Sequence, residues 1–283
     1  MTETYDQPVL LKRASSNDSF ILGHTQEQKG SEFQSGARAE LTPSPLTLAL
    51  SSIRGRFMAQ AMIFMVPDTR AHRFIAARSP MLKAAILRAM PQKPQPILAT
   101  VAVGFSPVTI LIAQERPDVR VIEIDTPEVI QKRKTRLRHA PDIIIPDNIE
   151  TYKADLSTIA LTDVLGDTRP DVMDITGGYF THTELTQVVR YLADVMSDEG
   201  ACVCYLPWFD GIEQIKGAAR FFKSQIGDYP GMVGHVDTAK RIFSDAGYQT
   251  VEVLFPSQFG EELGLETPIM DIEILVIAYK QQK

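Results

Sequence analysis

Cysteine is scarce in this chain: of 283 residues only Cys202 and Cys204 are cysteine. They stand one residue apart in an apolar run, and on a strand they would share a face about 7 Å apart, beyond ordinary disulfide reach. A fold built on disulfides is excluded. No Cys-x-x-Cys or His-rich cluster is present and the histidines are scattered singly, so no metal site is expected. No apolar run reaches the roughly 18 residues that a membrane-spanning helix needs. The start, Met1 to Asp6, lacks the basic flank and apolar core of a signal peptide. These absences lead to the expectation of a soluble protein in a reducing cytoplasm, with no membrane partner. Basic residues do not predominate either: 29 stand against 35 acidic ones, for a net charge of −6. The positive surface that a nucleic-acid reader needs is not supplied, and no nucleic-acid partner is expected.

What is present is the composition of an ordinary globular α/β protein, with 44% apolar and 23% charged residues. Residues 1–40 are mostly polar and read as a loosely attached arm. Residues 41–90 read as a helical cap. Leu46, Leu50, Ile53, Phe57 and Ala61 follow one helical stripe, and Pro67 and Pro80 are expected to cut the segment into helices. The proline-rich stretch 91–96 forms a hinge, and residues 91–283 read as a Rossmann-like cofactor-binding domain.

In that domain, apolar runs alternate with amphipathic stretches. Strands are expected at 97–103, 119–125, 149–153, 171–176, 201–206, 250–255 and 272–279. Helices are expected after Ser106-Pro107, after Thr126-Pro127, over 184–196, near 211–226 and over 236–246. Seven strands with interposed helices describe a doubly wound, mostly parallel sheet. No helix-length pattern separates the last two strands, so the last strand is expected to be antiparallel.

Such a sheet collects ligands beyond the carboxyl ends of its strands, at the switch point. Gly104 follows the first strand, Asp125 ends the second, Asp155 follows the third and Asp174 lies in the fourth. A glycine allows close backbone approach, a helix N-terminus favours negative charge, and an acid after the second strand can accept both hydrogen bonds of a ribose diol. That is the layout of an adenosine-cofactor site. Each position has a plainer reading: Gly104 as a turn residue, Asp125 as an acid preceding a helix, Asp155 as an N-cap and Gly177-Gly178 as a flexible loop. Likewise His182 can be a surface or capping residue, and Lys132-Arg133-Lys134 reads as a solvated helix face. A dinucleotide site is disfavoured, because Val103-Gly104-Phe105-Ser106-Pro107 has one glycine where that fingerprint needs three.

In order, Ile97 to Pro107, Val121-Ile122-Glu123-Ile124-Asp125-Thr126-Pro127, Lys153-Ala154-Asp155-Leu156 and Asp174 to Phe180 resemble motifs of the leucine carboxyl methyltransferase-like family. These are class I S-adenosylmethionine-dependent enzymes that include polyketide O-methyltransferases. The resemblance covers roughly residues 45–280 and extends to the Asp245-Ala246-Gly247-Tyr248 turn. It implies the cofactor S-adenosyl-L-methionine, with Gly104 packed against it, Asp125 on the ribose and Asp155-Leu156 flanking the adenine. It further implies Arg78 on the methionine carboxylate and Asp174 near the amino group. Two positions depart from the family pattern: Thr100 stands where the family has an acid, and Asp174 where it has Glu. The function implied is O-methylation of a small carboxylate or hydroxyl. The departures leave a second expectation, a repurposed member that acts as a binding or interaction protein. A carboxylate acceptor needs no base; a hydroxyl acceptor would use one, and His182, after the fourth strand, is the candidate catalytic residue. The sequence sets neither the acceptor nor the oligomeric state.

Overall fold

The computed structural model describes residues 12–13, 20–21, 27–156, 158–214 and 231–281. Lys12–Arg13 (β1) pairs antiparallel with Phe20–Ile21 (β2). The apolar runs form one sheet of seven strands: β3 (Ile97–Val101), β4 (Arg120–Asp125), β5 (Ile149–Lys153), β6 (Val172–Thr176), β7 (Ala201–Pro207), β8 (Thr250–Leu254) and β9 (Glu273–Tyr279). Their order across the sheet is β5-β4-β3-β6-β7-β9-β8. The first five are mutually parallel. β9 runs antiparallel to β7 and β8, which flank it, so the last strand is inserted into the sheet as well as reversed. β7 is buried along its whole length, which explains its unbroken apolar sequence. Edge strand β5 is only half buried and carries Glu150 and Lys153, the charges that discourage edge pairing.

The order of winding reverses between β3 and β6, which places the switch point where both strands end. One sheet face packs on the helix His182–Val195 and on Val236–Ser244 through Leu185, Val188, Leu192 and Phe243. The opposite face packs on α4 (Thr69–Ala89) and α5 (Val108–Glu115) through Phe74, Met81, Ile86 and Ile112. Of the helix expected near 211–226, residues 211–214 belong to the helix Phe209–Gln214, and the rest of that span lies outside the described residues.

The amino-terminal helices differ from the sequence expectation in three ways. Residues 27–40, expected in a loose arm, belong to helix α1 (Glu27–Leu41), with Phe33, Ala37, Arg38 and Ala39 buried. Its sparse apolar residues hide that burial because much of the contact is backbone to backbone. A Cβ on Gly36 of α1 would lie 2.1 Å from the backbone of Gly55 in α3 (Ile53–Met65), so only glycine permits this crossing.

The stripe from Leu46 to Ala61 is broken. Helix α2 (Pro45–Leu50) ends at Ser51, and Ser52 caps α3 by accepting the Gly55 N–H. The cap resets the helical phase, so Leu46 and Leu50 are buried while Ile53 and Phe57 are 89% and 71% exposed. Finally, Pro80 does not end a helix but sits inside α4. Its exposed position and the buried face Phe74, Ala77, Met81, Leu82 and Ala85 offset a proline cost of roughly 3 kcal/mol.

Candidate functional site

The ends of β3, β4 and β6 enclose a cleft of about 70 Å³, lined among others by Arg78, Thr100, Gly104, Asp125 and Asp174. After β3 the chain turns through two left-handed residues, Ala102 (φ 58°) and Gly104 (φ 54°). Glycine adopts this backbone freely, whereas at Ala102 it costs about 1–2 kcal/mol. The turn is held open toward the cleft by Asp125. One of its carboxylate oxygens accepts the Gly104 N–H and the other the Thr126 N–H, both at 2.7 Å. Burial pushes the Asp125 pKa up while these two backbone bonds oppose the shift. Each oxygen retains acceptor capacity for a further donor.

The loop has a second support, and it corrects the expectation for Lys132-Arg133-Lys134. Arg133 does not lie on a solvated face of α6 (Pro127–Arg138); its side chain is 1% exposed. Its guanidinium pairs with Glu123 at 2.7 Å and donates to the Ser106 carbonyl at 2.7 Å and the Gly104 carbonyl at 3.4 Å. Thr109 donates to the same Glu123 at 2.5 Å. The neighbouring Arg136 stacks on Phe105, 3.8 Å from the ring centre. Two arginines one helical turn apart thus grip the loop. A basic heptad on a helix gives no such signal in sequence, because solvated and buried arginines read alike.

Arg78 lines the cleft. It pairs with Glu273 at 2.7 Å, bonds the Gln34 side chain at 3.3 Å and stacks over Tyr205 at 4.4 Å. Asp174, fully enclosed across the cleft, has its pKa raised from 3.8 to about 7 by burial. The charge of Arg78 and the Thr100 hydroxyl pull the other way. That hydroxyl lies beside Asp174 without the geometry of a full hydrogen bond and is otherwise unpartnered. Sequence reasoning missed Arg38, which α1 brings into the cleft. Its guanidinium donates to the Phe105 carbonyl at 3.2 Å, and burial together with Arg78 and Arg133 lowers its pKa to about 9. The polar sequence around it gave no sign of burial.

Gly104, Asp125, Asp174 and Arg78 therefore converge, whereas Asp155, Leu156 and His182 do not line this cleft. Asp155 follows β5 and accepts the Thr158 and Ile159 N–H groups on its backbone carbonyl; Leu156 is buried in the core. His182 opens its helix after the Thr181–Glu184 capping box, and its Nε2 lies 3.0 Å from the Met232 carbonyl. Among the described residues no group of His, Cys, Asp or Glu is arranged to hold a metal ion, and no helix is long and apolar enough to cross a membrane. Cys202 and Cys204 are buried, free thiols.

The donor set suits S-adenosylmethionine: cations for a carboxylate, an acid for an ammonium and an acid with spare acceptor capacity for a diol. The enclosed space is smaller than the 300–1,000 Å³ typical of ligand pockets, and Gln34 and Arg38 of α1 are among the residues that wall it.

Strand order, reversed last strand and switch point define a class I methyltransferase fold. No protein-family model and no curated protein matches the sequence. Among solved structures the chain is similar to the CurJ carbon methyltransferase, with a TM-score of 0.54 and 13% identity over 90% of this chain and 68% of that one. It is similar to a possible exported protein from Bordetella parapertussis (TM-score 0.54, 16% identity, 92% and 98% coverage). An O-methyltransferase family 2 protein from Planctomyces limnophilus, solved with apigenin, is also similar (TM-score 0.51, 15% identity, 83% and 66% coverage). At these identities the likeness carries the fold and leaves the activity to the site.

Proposed function

We propose that this chain is a cytoplasmic S-adenosylmethionine-dependent O-methyltransferase of the leucine carboxyl methyltransferase-like type, acting on a small-molecule carboxylate or hydroxyl. The observation that carries the reading is the convergence of Gly104, Asp125, Asp174 and Arg78 on one cleft at the switch point. Three of the four come from separate strand ends, in the order that an adenosine cofactor requires. The similarity to an O-methyltransferase solved with apigenin, a small molecule, agrees with the substrate class.

When bound, the cofactor supplies a methyl group already activated by its sulfonium. The protein's part is to hold and orient. Asp125 would accept the ribose hydroxyls and the Gly104 turn would allow close approach, while Asp155-Leu156, outside the cleft, would meet the adenine only if it extends beyond it. Arg78, with Arg38 beside it, would face the methionine carboxylate, and Asp174 in its carboxylate form would face the ammonium. Alignment and exclusion of water then account for most of the acceleration. A carboxylate acceptor arrives ionised; a hydroxyl acceptor would draw on His182 as base.

A second reading, a repurposed member that binds a partner without transfer, is favoured by one observation. The cleft holds only about 70 Å³, with Gln34 and Arg38 of α1 in its wall. Native mass spectrometry of the purified full chain separates the two. A co-purifying adenosine compound, with methyl transfer to members of a carboxylate and phenol panel, supports the enzyme. Binding of neither cofactor nor its demethylated product supports the second reading.

A further inference from the structure

A second cavity, of about 450 Å³, opens between α6, α5 and edge strand β5, away from the cleft. Its walls are aliphatic: Ile110, Ile130, Leu137, Ile143, Ile145 and Ile149. Among the described residues no aromatic side chain lines it, so these offer no flat surface for a ring to stack on. The one carboxylate in its wall, Glu123, is neutralised by Arg133. The space opens to solvent, and its size lies within the range of small-molecule pockets.

The rim is charged in one sense. Lys134 and Arg138 are exposed, line the opening and stand four residues apart on α6. Like charges at this spacing destabilise a helix slightly. Neither has an acidic partner among the described residues, in contrast to Lys132 on the same helix, which pairs with Glu128. Arg133 and Arg136 of α6 are engaged inward. Two uncompensated cations over an aliphatic chamber are complementary to a molecule with an apolar chain and an anionic head.

We propose that this cavity is a binding site for a single-chain aliphatic carboxylate, its chain among the isoleucines and its head group between Lys134 and Arg138. The site is distinct from the cleft and does not depend on the methyltransferase reading. Its floor is the Arg133–Glu123 pair that anchors Gly104 and Ser106, so an occupant rests on the support of the cofactor loop.

The test is calorimetric titration of the full chain with decanoate below its micellar range, with 1-decanol as the uncharged control. Decanoate is expected to bind saturably at one site. The double substitution Lys134→Glu/Arg138→Glu, on exposed side chains, should weaken it about tenfold while leaving 1-decanol unaffected. Thr151→Trp, which fills the cavity from β5 with a residue suited to strands, should abolish both. If that variant fails to fold, the charge reversal alone decides. Absence of saturable decanoate binding to folded protein up to about 1 mM overturns the proposal. So does decanoate binding that the charge reversal leaves unchanged.

Discussion

Replacing Asp174 with asparagine removes a carboxyl that the fold holds close to half protonated at neutral pH. Burial raises its pKa from 3.8 to about 7 despite the nearby charge of Arg78. At 1.36 kcal/mol per pKa unit, this corresponds to about 4 kcal/mol between neutral and charged forms. Because the folded-state pKa is the higher one, this contribution is fully present below about pH 4. It is lost as pH rises through about 7. Asparagine keeps the neutral shape, so Asp174→Asn should match the parent near pH 4 and exceed it at pH 8, with about 4 kcal/mol as the upper bound. Urea unfolding at a series of pH values measures the difference. The same variant should bind S-adenosylmethionine about 10–100-fold more weakly, since a charge-assisted contact to the ammonium is lost. Parallel stability curves for the two proteins between pH 4 and 8 would refute the burial argument. Unchanged affinity would remove Asp174 from the ammonium.

Arg133→Met leaves Glu123 buried without its cation and should destabilise the chain by roughly 3–5 kcal/mol in urea unfolding; adding Glu123→Leu should restore most of that. Arg78→Met likewise strands Glu273, so its stability loss alone is uninformative. The pair Arg78→Met/Glu273→Gln should recover stability while cofactor affinity stays low, and recovery of both would give Arg78 a purely structural role. His182→Ala should leave turnover within a few fold, with a pH profile flat above about pH 6, for a carboxylate acceptor. A loss of about 10²–10⁴ with intact cofactor affinity would establish a hydroxyl acceptor and a histidine base.

The sheet was legible because its signals are local. Apolar runs and Thr126-Pro127 each mark an element within a few residues. The strand-end residues Gly104, Asp125 and Asp174 were legible for the same reason, since topology alone carries strand ends to one edge. What could not be read depended on contacts far apart in sequence. Arg38 reaches the loop across 67 residues, through a helix whose buried face is largely backbone at Gly36 and Gly55. Arg133 is internal because Glu123 awaits it on β4, and no composition rule distinguishes it from exposed Lys132. The broken stripe at Ser51-Ser52 shows a further limit: the spacing from Leu46 to Phe57 suited one helix, and a serine cap overrode it.

We propose that the cleft at the switch point is an adenosine-cofactor site organised by Asp125. Calorimetric titration of the full chain with S-adenosylhomocysteine, beside Asp125→Ala, tests it most directly. One saturable site is expected in the parent. A loss of about one to two decades in affinity is expected in the folded variant, the worth of charge-assisted bonds to a ribose diol. No binding by the folded parent up to about 1 mM, or equal affinity in both proteins, would contradict it.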